Sequence, residues 1–236
     1  MPESHGVQVV ILAGGLATRM RPHTLTVPKS MLEVAGRPFV DWQLEKLAAC
    51  GFRDVVLCIA HLGEAIREHV GDGARFGLAV RYADEGPSLL GTGGALRNAL
   101  PLLAPDFLVT YGDSYLPFDY RGPLETLHRH DDCDGVMSIF YNEGKWDASN
   151  VATDGEWVLR YAKGCVDPEL DHIDYGAIAL RRSVVEAVPE GERHDLAALQ
   201  ERLAAEKRLR AYTAEVRFFE IGSPEGLTAL QDHLSR

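Results

Sequence analysis

The sequence predicts an α/β fold: a mostly parallel, mixed sheet flanked by helices, with a small β insertion in the second half. Three observations carry that expectation. Short β-branched and apolar runs alternate with stretches of helical spacing through the first half, which calls for parallel strands joined by crossover helices. The run VQVVIL at residues 7–12 reads as a buried strand opening the sheet. Gly14 and Gly15 follow one residue after that run, a tight turn where the first strand ends.

The remaining elements follow in order. Helical spacing spans Phe39 to Cys50, a strand Asp54 to Ala60, and a helix Glu64 to Val70. A strand at Leu78 to Tyr82, a helix from Thr92 to about Leu100 and a strand at Phe107 to Tyr111 continue the alternation. After Asp113 the rhythm changes to short strands near Val136 to Tyr141, Val158 to Tyr161 and Ile173 to Leu180. A helix near Asp195 to Glu206, a strand pair near Ala211 to Glu220 and a helix from Glu225 to Leu234 complete the reading. No repeat, low-complexity tract or Gly/Ser linker interrupts it, so one domain with an insertion is the simplest account.

Bulk properties narrow the function. With 236 residues, 46% of them hydrophobic, the chain can bury a proper core. No apolar run approaches the ~20 residues of a membrane span. The start, MPESHG, has neither a basic nor an apolar signal region, so a cytoplasmic location is expected. Cys50, Cys58, Cys133 and Cys165 are scattered, as reduced thiols rather than a zinc or disulfide frame. The net charge of −11 argues against a nucleic-acid partner and requires any phosphorylated ligand to be held by local cations.

Those cations are concentrated early. Gly14 and Gly15 leave consecutive N–H groups free to wrap an anion, and Arg19, Arg21 and Lys29 follow within a short distance. Arg19 suits a bidentate phosphate contact and Lys29 a point-charge contact. Strand, glycine turn and three cations together describe a triphosphate cradle. Neither GxGxxG nor GxxxxGK[ST] is present, which sets aside a dinucleotide fingerprint and a P-loop.

The stretch LAGGLATRMRPHT, followed by PKS, resembles the signature loop of the sugar-1-phosphate nucleotidyltransferases, the NDP-sugar pyrophosphorylases. Ala17 stands where glycine is usual and Ser30 where proline is usual. The resemblance runs from Val9 to about Leu230, stopping without the β-helix tail of some members. It implies a Rossmann-like (GT-A-like) catalytic domain over residues 1–236, with the nucleotide part about 1–115 and the sugar part about 116–236. Leu12, Ala13, Gly14, Gly15, Thr18 and Arg19 would then bind nucleotide, with Arg19 and Lys29 catalytic.

Further segments extend the likeness. Tyr111-Gly112-Asp113 ends an apolar strand, where ligand sites in open α/β sheets lie, and resembles the family's GD motif. The resemblance assigns Gly112 to the sugar phosphate and Asp113 to Mg²⁺. Glu220, in EIGSPE, stands where the second metal-binding aspartate is usual; Pro224 and Glu225 double as helix-start residues. The segment from Glu85 to Ala95 resembles the family's base-side glycine loop, placing Glu85, Gly91 and Thr92 at the nucleotide. A carboxylate there suits the N1–H and N2 donors of guanine, which favours GTP, although close helix packing would also explain Gly93-Gly94.

Lys163 falls at the family's sugar-phosphate lysine, with Ala162 in place of its usual glutamate neighbour, and Asp174 and Tyr175 fall at a sugar-facing position. These departures suggest a sugar unlike glucose. Trp146, Asp147, Ser149 and Asn150 would cover the sugar or form a surface turn. The chemistry implied is attack of a sugar 1-phosphate oxygen on the α-phosphorus of an NTP, with pyrophosphate leaving. The heptose and mannose 1-phosphate guanylyltransferases of capsule and lipopolysaccharide pathways are the branch most resembled. A uridylyl- or cytidylyltransferase acting on another sugar or a non-sugar phosphate, and a catalytically silent nucleotide-sugar regulator, are the alternatives. Members often form homo-oligomers, though no surface stripe marks an interface here.

Overall fold

The computed structural model describes residues 7–86, 89–146, 148–165 and 167–235. Pro87, Ser88 and Asp147, which belong to two of the segments singled out above, lie outside the described residues. Strand β1 (Gln8–Leu12) is buried along its whole length, and Val9, Val10 and Ile11 have no exposed surface. A strand covered on both faces needs such a run, and each large apolar side chain buried there contributes about 1.5–3 kcal/mol.

After β1 come three single turns of 3₁₀ helix, Thr18–Met20, His23–Leu25 and Lys29–Met31, then a two-residue hairpin of β2 (Glu33–Val34) and β3 (Arg37–Pro38). Helix α1 (Phe39–Ala49), β4 (Asp54–Ile59), α2 (Gly63–Val70) and β5 (Ala79–Asp84) follow. Next are α3 (Gly91–Ala99), β6 (Asp106–Tyr111), the short β7 (Ser114–Tyr115) and α4 (Arg121–Arg129). Then come β8 (Gly135–Tyr141), β9 (Val151–Thr153), β10 (Val158–Tyr161), β11 (His172–Arg181) and α5 (Arg182–Glu186). The described chain closes with α6 (Leu196–Ala205), β12 (Leu209–Thr213), β13 (Phe219–Glu220) and α7 (Pro224–Leu234).

Nine strands form one mixed sheet. Its parallel part runs β6-β1-β4-β5, with Leu12 level with Cys58 on one side and Tyr111 on the other. The long β11 joins antiparallel to β6 and to β8, and β12 adds parallel to β8. Strand β9 meets β11 at His172 opposite Val151 and carries β10. Strands from both halves of the chain thus share one sheet, and the carboxyl ends of β1, β4 and β6 open on the same edge.

Two apolar clusters cover the sheet. One face packs under α3, α5 and α6 through residues such as Leu96, Val185 and Leu199. The other packs under α1, α2 and α4 through Leu44, Ile66 and Leu127. A third cluster, with Val34, Phe39, Ile221 and Leu230, seats α7 against the β2–β3 hairpin and α1. Asp195 caps α6 by accepting from Ala197 N–H at 3.0 Å, and Ser223 caps α7 with Pro224 at its first turn. Among the described residues no helix is long and apolar enough to cross a membrane.

Two expectations are corrected. The strand pair expected near Ala211 to Glu220 is two strands in different sheets: β12 joins β8, and β13 pairs with β7. Each finds a partner more than 70 residues away in sequence, 74 for β12 and 104 to 106 for β13, which local periodicity does not report. Helix α4 is an addition to the expected elements; Gly122 and Pro123 both fall in its first turn, where proline removes no intrahelical bond.

Candidate active site

The carboxyl ends of β1, β4 and β6 floor a cavity of about 530 Å³. Of the expected nucleotide set, Leu12, Ala13, Gly14, Gly15, Thr18, Glu85, Gly91 and Thr92 line it, together with Lys29, Gly112 and Asp113. Close approach explains two of the glycines. A Cβ on Gly14 would lie 3.0 Å from Glu85 Oε1 and 3.1 Å from Ala60 Cβ. A Cβ on Gly112 would lie 2.9 Å from Ala13 Cβ, because Gly112 N–H donates to Leu12 O at 2.9 Å and draws the two loops together. Ala17 sits in the left-handed region, φ +48° and ψ +43°, which explains why glycine is usual there.

Lys29 Nζ is 2.5 Å from Asp113 Oδ2, and both side chains are largely covered. Arg19 is exposed and lines a second cavity of about 430 Å³ together with Glu220 and Arg217. The two cavities are neighbours across Gly222, where a Cβ would lie 3.2 Å from Lys29 Nζ and 3.4 Å from Arg19 Nη2. Glu220 pairs with Ser114 in the β13–β7 ladder, and Ile221 N–H donates to Asp113 O at 3.0 Å. Backbone pairing therefore brings the two expected metal-binding acids to adjacent strand ends. Among the described residues no group of three His, Cys, Asp or Glu side chains forms a ready-made metal cage. Two hard carboxylates suit Mg²⁺, which keeps waters and takes substrate phosphate oxygens for its other positions.

Glu85 accepts from Leu90 N–H at 2.9 Å through Oε2. Burial pushes its pKa up, and the Leu90 bond opposes that rise. Gly91, Gly93 and Gly94 face the segment before α6: a Cβ on Gly91 would meet His194 O at 2.6 Å, and Gly93 and Gly94 N–H donate to His194 O at 2.8 and 3.1 Å. Gly93 and Gly94 are packing glycines, not a platform for substrate.

Neither Lys163 nor Asp174 is part of the wall of the main cavity. Lys163 Nζ lies 3.7 Å from Asp195 Oδ2. Asp174 Oδ1 accepts from Gly176 N–H at 2.9 Å, and Oδ2 from Gln200 Nε2 at 3.1 Å and Tyr161 OH at 3.4 Å. Burial raises the pKa of Asp174 against those bonds and the Lys163 charge. Tyr175 is a correction: adjacent residues of a strand point to opposite faces, and its ring is 1% exposed, packed among Phe118, Phe140 and Phe218. It belongs to the core and cannot touch a sugar. Trp146 stacks under the Arg217 guanidinium at 3.7 Å.

The cavity wall also includes Ser30, Cys58, Tyr111 and Arg193, which the sequence reading did not assign to a ligand. Tyr111 was visible in the Tyr-Gly-Asp motif. Burial carries its phenol pKa well above the usual value. Arg193 had no local signal, since it reaches the site only because residues 192–195 pair with the base-side loop.

Comparison with known proteins gives the family and the fold. Residues 8–147 match the model of a family described as nucleotidyl transferase. The chain is 32% identical over 189 residues to a mannose-1-phosphate guanylyltransferase of Mycobacterium tuberculosis, covering 80% of this chain and 52% of that protein. It spans about half the length of that and another of the curated relatives it matches. An N-acetylmuramate alpha-1-phosphate uridylyltransferase of Caulobacter vibrioides is 27% identical over 235 residues, 96% of each chain. The solved structure of HddC from Yersinia pseudotuberculosis is similar with a TM-score of 0.76 at 25% identity, covering 97% of this chain and 99% of that one.

Proposed function

The chain belongs to the nucleotidyl transferase family, and from that premise we propose that it joins an NTP to a sugar 1-phosphate. The α-phosphorus of the NTP would take the sugar phosphate oxygen and release pyrophosphate, leaving an NDP-sugar. The observation that carries the reading is that the Gly14-Gly15 loop, Lys29, Glu85 and Asp113 line one and the same cavity, which has room for a nucleotide. Glu85 on the base side supports GTP as donor, through its fit to the guanine N1–H and N2 groups. We further propose that the product feeds surface-polysaccharide synthesis, a reading that rests on the sequence resemblance alone.

The nucleophile is already anionic near neutral pH, so the reaction asks for no general base. It asks for two anions to be brought in line and for developing charge to be balanced. The loop N–H groups and Arg19 would hold the outer phosphates and the departing pyrophosphate. Lys29, placed between Arg19 and Asp113, would reach the α-phosphate, and Lys163 the incoming one. Asp113 and Glu220 would hold Mg²⁺, which supplies charge neutralisation and polarises a phosphoryl oxygen. The test pairs each common NTP with mannose, glucose, N-acetylmuramate and manno-heptose 1-phosphates, with pyrophosphate followed. Release with GTP and one acceptor supports the whole reading. Release with another NTP retires the base assignment, and no release or binding with any pair retires the function.

A further inference from the structure

Lys163 reaches its place through a chain of contacts that begins in the base-side loop. Thr92 is the second residue of α3, yet its hydroxyl is directed at the other half of the molecule. Its Oγ1 donates to Asp195 Oδ1 at 2.9 Å and accepts from Leu196 N–H at 2.8 Å. Backbone bonds lock the same two segments: His194 N–H donates to Leu90 O at 2.8 Å, and Gly93 and Gly94 N–H return to His194 O. Gly91 has φ +74° and no room for a Cβ, so the two segments meet at backbone distance.

The Asp195 carboxylate divides its work. Oδ1 takes the Thr92 hydroxyl and the Ala197 N–H that caps α6. Oδ2 is left to face Lys163 Nζ at 3.7 Å. Burial works to raise the Asp195 pKa, but the Ala197 and Thr92 hydrogen bonds and the Lys163 charge carry it below the usual carboxylate range. The group is therefore a fixed anion at neutral pH. A lysine has four rotatable bonds and a mobile head group, so an anchored counter-charge narrows where its ammonium sits.

We propose that Asp195, braced by Thr92, is a positioning residue that holds Lys163 for the phosphate of the acceptor. The proposal rests on the sugar 1-phosphate reading above and deepens it. Thr92 then serves the site through Asp195, and not by its hydroxyl touching the nucleotide. The base-side loop and the acceptor lysine become one mechanical unit.

The test is a mutant cycle on the intact chain. Asp195→Asn keeps a good helix cap and the Thr92 bond while removing the charge that faces Lys163. Its KM for mannose 1-phosphate, or for the acceptor in the panel that the parent uses best, should rise about three- to fivefold, the range of an exposed ion pair, with kcat within about twofold. In a Lys163→Met background the same substitution should change KM by less than about 1.5-fold, because the residue it acts through is gone. Thr92→Val should reproduce the rise, and Thr92→Ser should restore the parent value. Calorimetric binding of the same sugar 1-phosphate gives the comparison without turnover, and melting curves check folding. An equal KM change in both backgrounds, a fall in KM on Asp195→Asn, or a failure of serine to rescue overturns the proposal while leaving the function intact. A parent chain that neither turns over nor binds any sugar 1-phosphate overturns both.

Discussion

Replacing Lys29 by methionine separates chemistry from stability at the centre of the site. Lys29 Nζ lies 2.5 Å from Asp113 Oδ2, with the two side chains 15% and 27% exposed. Water reaches both partners, so much of the Coulomb attraction is offset by what each gives up in solvation. The stability cost of losing the lysine is then about 1 kcal/mol. For a chain of 236 residues that lowers the melting temperature by about 2–4 °C.

The rate should suffer far more. A cation aimed at charge that develops on phosphate oxygens is worth about 10²–10³ in kcat, or about 2.7–4 kcal/mol. The assay is pyrophosphate release under saturating Mg²⁺ and NTP, with a melt on the same sample. Asp113→Asn, similar in volume, should also lower turnover while leaving Lys29 without its counter-charge. A Lys29→Met enzyme within about threefold of the parent in kcat would refute the placement of Lys29 at the reacting phosphates. A melting drop above about 10 °C, with normal activity in the folded fraction, would show the lysine to be structural.

Three other substitutions test separate parts of the site. Gly112→Ala puts a Cβ 2.9 Å from Ala13 Cβ; denaturant melts should show a loss of about 1–3 kcal/mol, together with weaker NTP binding by calorimetry. Glu85→Gln keeps an oxygen for Leu90 N–H but removes the charged acceptor, so kcat/KM should fall about tenfold for GTP and change little for UTP. Asp174→Asn should raise the melting temperature at pH 7, because burial has lifted the folded pKa of Asp174 above its unfolded value of about 3.9. The parent is most favoured by this group below the unfolded pKa and loses that share as pH rises through the folded one. The variant's advantage should therefore shrink towards pH 4, and a pH series of melts with no such trend would reject the assignment.

What the sequence made legible is what repeats locally. The apolar run at residues 7–12 and the helical spacing of Phe39 to Cys50 reflect burial patterns set within one element, and the observed Gln8–Leu12 and Phe39–Ala49 each differ from them by one residue at one end. The glycine loop was legible for the same reason, since strand, turn and cations are consecutive. Partners across the molecule left no such trace. Thr92 and Asp195 are 103 residues apart, and nothing around either one specifies the other. Tyr175 was misread because adjacency in a strand places two side chains on opposite faces.

The chain carries a net charge of −11, and the proposed reaction asks it to admit two phosphorylated substrates, a demand that bears on how its lysines are placed. The two lysines proposed to meet phosphate each face an aspartate: Lys29 faces Asp113, and Lys163 faces Asp195. Each pair is close to neutral as a unit, so Lys29, the more covered of the two lysines, does not stand as an isolated charge desolvated alone. A phosphate entering the site competes with a carboxylate for each ammonium, which weakens ground-state attraction. In return the ammonium groups are already near their working positions, and the ordering cost is met during folding instead of during binding. The two aspartates differ in what binding does to them. In the proposed reaction Asp113 would also hold Mg²⁺, and its carboxylate would then be released from Lys29, leaving the ammonium to phosphate. Asp195 has its other oxygen committed to Thr92 and the α6 cap, so it stays fixed while Lys163 engages the acceptor. One lysine is thus held by an exchangeable partner and the other by a permanent one. That asymmetry predicts that Mg²⁺ strengthens NTP binding in the parent and does so much less in Lys29→Met, while leaving the effect of Asp195→Asn unchanged. A calorimetric titration of NTP with and without Mg²⁺ across the three proteins reads it directly, and equal Mg²⁺ dependence in all three would reject it.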